Sequence, residues 1–282
     1  MTHPAYECFS LEIADHVAHI RFSRPDKYNS FIPAFWRELP AAVDRISDSA
    51  EARVIVISSE GKHFTAGMDI SVFMEGGVDP EAGTREASME AFRLNLLGGL
   101  QDTFNALERA RMPVLVACQG GVIGAGVDLA TAADCRYASA EAFFCVMETK
   151  IGMTADVGTF PRISKVMPEG WARQMCYTGE RLPAAKAKEI GLVNEVFESP
   201  EALLEGVMAI AKEIAANSPL AVAGCKRMLN YARDHSVADG LDYIATWQTG
   251  MFRPDDIKEH YTAKMEKREP VFAELKPLKR GL

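Results

Sequence analysis

The stretch "ETKIGMTADVGTFPR", residues 148–162, sets two acids eight positions apart among small and apolar residues. A carboxylate in apolar surroundings is either paired with a cation or held partly protonated, and an acid of the second kind exchanges protons near neutral pH. A third acid, Asp128, lies upstream in "GGVIGAGVDL" (120–129), with Asp134 close behind it. Each also has an ordinary reading. Asp128 falls in the first turn of an expected helix, where an acid complements the helix dipole. Glu148 closes the run "AFFCVM" as a solvent-facing strand end, and Asp156 caps a helix beginning near Val157. Asp134, followed by Cys135 and Arg136, pairs with an arginine or caps the next element, and is assigned a structural role. Spacing alone does not bring Asp128, Glu148 and Asp156 together.

Two glycine turns offer the complementary chemistry. In "HFTAGMDI" (63–70) and again in "GGVIGAGVDL", glycine follows a β-rich run and lets the backbone turn tightly with N–H groups exposed. A helix N-terminus with free N–H groups also attracts developing negative charge. One such turn is ordinarily structural. Two in one chain admit a two-donor oxyanion hole, with N–H groups from different loops converging on one oxygen.

The elements that must position these groups follow from periodicity. Residues 6–13 and 16–22 read as a hairpin, 33–47 as an amphipathic helix and 52–61 as a strand ending in a turn. Residues 75–87, rich in Gly, Glu and Ala, read as a mobile excursion, and 88–111 as a helix leading into the buried strand "MPVLVACQG". "CRYASAEAFFCV" supplies two more short strands, and from about residue 201 the pattern is helical. This predicts an α/β chain with a catalytic core over 1–200 and a helical region over 201–282.

Composition narrows the partners. The 282 residues carry a net charge of −8, which argues against a nucleic-acid groove. No apolar run approaches the roughly 20 residues of a membrane span. Residues 251–282 hold 8 Lys and Arg against 6 Asp and Glu, a mildly basic tail on an acidic body. The six cysteines form no C-x-x-C pair, and no His pairs with an acid or thiol at a helical ligand spacing inside an apolar segment, so no metal site is expected. The N-terminus lacks signal-peptide and transit-peptide patterns and the C-terminus lacks the Ser-Lys-Leu address, giving a cytoplasmic expectation.

The combination "HFTAGMDI", "GGVIGAGVDLATAADCRYAS", "ETKIGMTADVGTFPRI" and "GLVNEVF" resembles the enoyl-CoA hydratase/isomerase (crotonase) superfamily, from "RFSRPDKYNSF" to "EKREPVF". Within it, "DTFNALER", Asp128 and above all "ADVGT" are most similar to the Δ3,5-Δ2,4-dienoyl-CoA isomerases; hydratases lack the acid of that last motif. The resemblance implies a ββα spiral core with a C-terminal helical trimerisation region, and a homotrimer or a hexamer built as a dimer of trimers. It implies catalytic roles for Asp128, Glu148 and Asp156, with an oxyanion hole from the backbone N–H groups of Met68 and Ala125. Ala125 stands where the family commonly has glycine; the donor survives and the added methyl narrows the pocket. Coenzyme A, carried by the acyl-CoA substrate, would lie along Ala66, Gly67, Asp69 and Ile70, with Lys267 and Arg268 near its phosphates, and no other cofactor is implied.

The implied reaction converts 3,5-dienoyl-CoA to 2,4-dienoyl-CoA, with Glu148 as base at carbon 2 and Asp156 as acid at carbon 6. An enoyl-CoA hydratase using Asp128 and Glu148 around a water is the alternative, and it leaves Asp156 without a role. A non-catalytic binding protein of the same fold is a further one, which the three acids and the net charge disfavour. The helix around Phe92, Leu94 and Leu97 is expected to shape the acyl pocket.

Overall fold

A computed structural model describes residues 5–74 and 85–279. The chain opens on a hairpin of β1 (Phe9–Ala14) and β2 (Val17–Phe22), joined through Asp15 and His16, both at positive φ. Two such residues give the turn whose twist matches the flanking strands. Helix α1 (Phe35–Ser49) carries β2 across to β3 (Val54–Ser59), which pairs with it in parallel. β3 is followed by α2 (Ile70–Met74), α3 (Arg85–Asn95), a π-helical turn at Leu96–Leu100 and α4 (Gln101–Arg109), which return the chain to β4 (Val114–Cys118). The helix expected over 88–111 is present, running without interruption from residue 85 to 109 with the π-helical turn, which contains Gly98 and Gly99, set inside it. Of the excursion expected at 75–87, residues 75–84 lie outside the described residues.

Next come β5 (Gly121–Ile123), α5 (Ala125–Ala132), β6 (Cys135–Ser139) and β7 (Phe143–Cys145). After a 3₁₀ turn at Glu148–Ile151 follow α6 (Thr159–Val166), α7 (Glu169–Thr178), β8 (Leu182–Pro183), α8 (Ala184–Glu189) and β9 (Glu195–Phe197). The main sheet runs β1-β2-β3-β4-β6-β9, parallel from β2 onward, and a small second sheet runs β5-β7-β8. Four helices close the chain: α9 (Pro200–Ala215), α10 (Pro219–Ala232), α11 (Val237–Met251) and α12 (Pro254–Glu266).

Both faces of the main sheet are covered, which explains why its central strands read as unbroken apolar runs. Ile55, Ile57, Val114 and Val116 point into the larger core with α1, α4 and α5. Their neighbours Val54, Val56, Leu115 and Ala117 point the other way, onto Leu203, Val207, Ala211 and Ala215. Those four recur every fourth residue, so they form one stripe along α9, and the two alanines let that helix approach the strands closely. The first of the four C-terminal helices thus belongs to the sheet's own packing.

Candidate active site

The loop 63–69 is laid down on a template provided by residues 28–31. Asn29, buried and at positive φ, donates from Nδ2 to the carbonyls of Glu60 and His63, and its own carbonyl accepts from the Thr65 hydroxyl. Phe31 then bridges Met68 in parallel register: its N–H donates to the Gly67 carbonyl (2.7 Å), and its carbonyl accepts from the Asp69 N–H (3.1 Å). In that register the groups on either side of Met68 are consumed while its own N–H points away. Among the described residues no acceptor engages the Met68 N–H.

The second loop meets the first at Gly67. A Cβ there would fall 2.7 Å from the Ile123 carbonyl oxygen and 3.3 Å from the Ala125 nitrogen, and φ is +82°, so only glycine lets these strands of chain touch. Ala125 is the first residue of α5, and its N–H likewise has no acceptor among the described residues. The loop that bears the Met68 N–H thus touches the backbone that bears the Ala125 N–H; a two-donor oxyanion hole draws its N–H groups from two such loops.

The acids surround the same helix start. Asp128, one turn into α5, is fully buried, and among the described residues neither carboxylate oxygen completes a hydrogen bond of good geometry, although the Thr159 hydroxyl and N–H approach it. Burial pushes its pKa up to about 7; the Glu148 charge adds to the rise, while the nearby Thr159 and Arg162 oppose it. The Thr159 hydroxyl stands beside it, itself buried and without a completed hydrogen bond. Glu148 opens the 3₁₀ turn after β7, and its Oε1 lies 3.2 Å from where a Cβ on Gly124 would stand. Gly124 has φ +55° and ψ −121°, a conformation that glycine alone holds comfortably, so the carboxylate leans on bare backbone. Glu148 Oε2 is buried and has no hydrogen-bond partner among the described residues, and burial, then the charge of Asp156, raises the pKa.

Asp156 is half-buried, and burial raises its pKa too. It caps no helix: α6 begins at Thr159 with Gly158 as its cap residue and no side-chain cap bond. Its carbonyl accepts from Gln101 Nε2 (2.7 Å), and a cavity of about 290 Å³ opens beside it, lined also by Asn105, Phe160 and Arg162. Glu148 is thus electrostatically coupled to Asp128 on one side and Asp156 on the other. Burial pushes all three toward the protonated form, the kind of perturbation that clusters at functional sites.

The remaining expectations divide. Ala66 is half-buried with its N–H donated to the Tyr28 carbonyl, and Ile70 is exposed. The Asp69 carboxylate is occupied by Ser30 and Ser71. Lys267 is exposed; Arg268 is exposed too and gives its guanidinium to Glu259 and Glu266, and among the described residues no hydrogen bond or ion pair joins either to the glycine loops. Phe92, Leu94 and Leu97 lie largely exposed on α3 and the π turn. Asp134 is structural, as expected, but its partner is Lys226 (2.8 Å) rather than an arginine. Sequence reasoning passed over Asn29, Ser30, Thr159 and Arg162. The buried Arg162 donates to Gly158, Asn105 and Glu108 beneath the Asp156 segment. The only signal for it was an arginine on the apolar-facing side of α6.

The family model for enoyl-CoA hydratase/isomerase matches residues 12–275. The chain belongs to that family. It is an enzyme with the crotonase fold. The Delta(3,5)-Delta(2,4)-dienoyl-CoA isomerase of Homo sapiens, named as mitochondrial, is 39% identical over 94% of this chain and 81% of its own length. The peroxisomal enzyme of the same name from Arabidopsis thaliana is 38% identical over 92% of this chain and 93% of its own. Among solved structures, a putative enoyl-CoA hydratase from Streptomyces coelicolor superposes with a TM-score of 0.85 at 26% identity, covering 97% of this chain and 96% of that one. These relatives overturn the cytoplasmic expectation, since they carry mitochondrial and peroxisomal names and short targeting patterns say nothing about a chain's fold or site.

Proposed function

We propose that this enzyme isomerises 3,5-dienoyl-CoA thioesters to 2,4-dienoyl-CoA. The observation that carries the reading is the third acid: Asp156 stands with its pKa raised and its charge felt by Glu148, on a segment where addition of water would need no acid. Glu148 removes a proton from carbon 2, and the C–H electron pair forms a dienolate whose charge gathers on the adjacent thioester oxygen and extends through the diene to carbon 6. The N–H groups of Met68 and Ala125 hold that oxygen; loss of one such donor typically costs roughly 3–4 kcal/mol of barrier. Asp156 then gives its proton to carbon 6, so one C–H bond breaks and another forms with no net change in redox state. The balance calls for no metal or redox cofactor, and coenzyme A arrives with the substrate. Asp128, buried within electrostatic reach of Glu148, supports the site electrostatically or orients a partner.

The basic tail, with Ala66, Gly67 and Ile70 of the first glycine loop, would receive the coenzyme A portion. Exposed apolar side chains on the last helices, among them Leu229, Leu241, Tyr261 and Met265, support assembly as a homotrimer or a dimer of trimers. Light scattering on the purified protein tests that assembly.

The hydratase reading has support in the name of the Streptomyces relative and in the pairing of Asp128 with Glu148. Incubation with 3,5-dienoyl-CoA and, separately, with 2-enoyl-CoA decides between the two. Appearance of the conjugated 2,4-diene absorbance in the first mixture is expected; rapid loss of the enoyl absorbance in the second, with none in the first, would replace the isomerase by a hydratase.

A further inference from the structure

The loop that carries the Met68 N–H is tied down from one side by a carboxylate. Asp69 Oδ2 accepts from the Ser30 hydroxyl (2.5 Å), and Oδ1 accepts from the Ser71 N–H (3.1 Å) and the Ser71 hydroxyl (2.7 Å). Three donors on one carboxylate hold it well below the usual range, at about 2, so the charge persists at any working pH. Ser30 precedes Phe31, the residue whose N–H and carbonyl bracket Met68. The carboxylate therefore ties the residue after Met68 both to the template strand and to the start of α2. The Gly67 carbonyl and the Asp69 N–H, each bonded to Phe31, hold the peptide planes on either side of Met68, and the Asp69 carboxylate braces that pairing by tying the loop to Ser30 and Ser71.

We propose that Asp69, through Ser30 and Ser71, is a positioning residue that aims the Met68 N–H at the thioester oxygen, and is not itself a contact for coenzyme A. This rests on the reading of Met68 and Ala125 as the oxyanion donors. Its chemical logic is that an oxyanion donor displaced by a fraction of an ångström loses most of its value, whereas ground-state binding through the coenzyme is untouched.

The test uses the full chain and a probe that needs no turnover, 2,4-hexadienoyl-CoA. Its absorption moves to longer wavelength when its carbonyl is polarised by hydrogen bonds. Wild-type protein is expected to show that shift on binding. Asp69→Ala is expected to bind the probe with a Kd close to wild type, to lose the shift, and to turn over 3,5-dienoyl-CoA about 10- to 100-fold more slowly at little-changed KM. Asp69→Asn, which keeps an acceptor for Ser71, should recover most of the shift and the rate. The proposal is overturned if Asp69→Ala keeps both the shift and kcat. It is equally overturned if the variant binds the probe far more weakly while the bound fraction keeps its shift, because Asp69 would then be a coenzyme contact. Should Asp69→Ala fail to fold, Ser30→Ala carries the test: a reduced shift supports the clamp, and a full shift with full kcat refutes it. A wild-type protein that shows the shift and loses it in Asp69→Ala, but never isomerises 3,5-dienoyl-CoA, would leave the clamp standing while removing the isomerase assignment.

Discussion

Replacing Asp128 by asparagine should remove a pH-dependent penalty that the wild-type fold carries. The carboxyl is fully buried and completes no hydrogen bond of good geometry among the described residues, and burial raises its pKa from 3.8 to about 7 against the opposing pull of Thr159. Below about pH 4 the folded and unfolded chains both hold the proton, and the group contributes nothing. Between that point and pH 7 the folded chain keeps a proton the unfolded chain has released, so stability falls as pH rises. Above pH 7 the full penalty stands, about 4 kcal/mol for a shift of about three units. Between pH 5 and pH 8 the wild type should therefore lose roughly 2–3 kcal/mol relative to Asp128→Asn. Asparagine is isosteric and leaves its own buried amide unpaired, but that cost is the same at every pH and drops out of the comparison. Urea unfolding followed by tryptophan fluorescence, at one protein concentration and at half-unit pH steps, gives both curves. Parallel curves for the two proteins would mean that Asp128 titrates like an exposed carboxylate, and the buried placement on which its role depends would be wrong.

Three further outcomes follow from local packing. Gly124→Ala puts a methyl 3.2 Å from Glu148 Oε1 at a φ of +55°, so kcat should fall about 10- to 100-fold with a smaller loss of stability, measured by steady-state kinetics beside a thermal melt. Lys226→Met strips the ammonium from the carbonyls of Leu107 and Met112 and from Asp134, and should destabilise the fold by about 3–5 kcal/mol in equilibrium unfolding. Leu203→Ala opens a hole between α9 and the sheet, with an expected loss of about 2–5 kcal/mol by the same measurement.

The core was legible because its physics is local. β3 and β4 are apolar on both faces, and that run of β-branched residues marks a central strand wherever it occurs. The turn into α5 was legible from its glycines, since no other residue holds those dihedrals. What the sequence left open was convergence. Asp156 had a sound local reading as a helix cap, and nothing in its neighbours announced that α6 would start at Thr159 instead. The same is true of Asp69: one acid among loop residues gives no sign that Ser30, thirty-nine positions away, will donate to it. Long-range polar pairings depend on how the strands stack, and a single sequence carries no periodicity for them. The short strand β9, three residues long and only partly buried, was missed for want of a pattern to detect. Family resemblance, rather than residue spacing, drew the three acids into one site; the structure adds the burial and the couplings that make such a site chemically reasonable.

The central claim, that two separated acids pass a proton into and out of a dienolate, stands most directly on Asp156→Asn. The variant keeps the shape of the side chain and removes only its ability to deliver a proton. With 3,5-dienoyl-CoA as substrate and the 2,4-diene absorbance as readout, turnover should fall by about 100-fold or more while thioester binding persists. Near-wild-type isomerase turnover in Asp156→Asn would contradict the account.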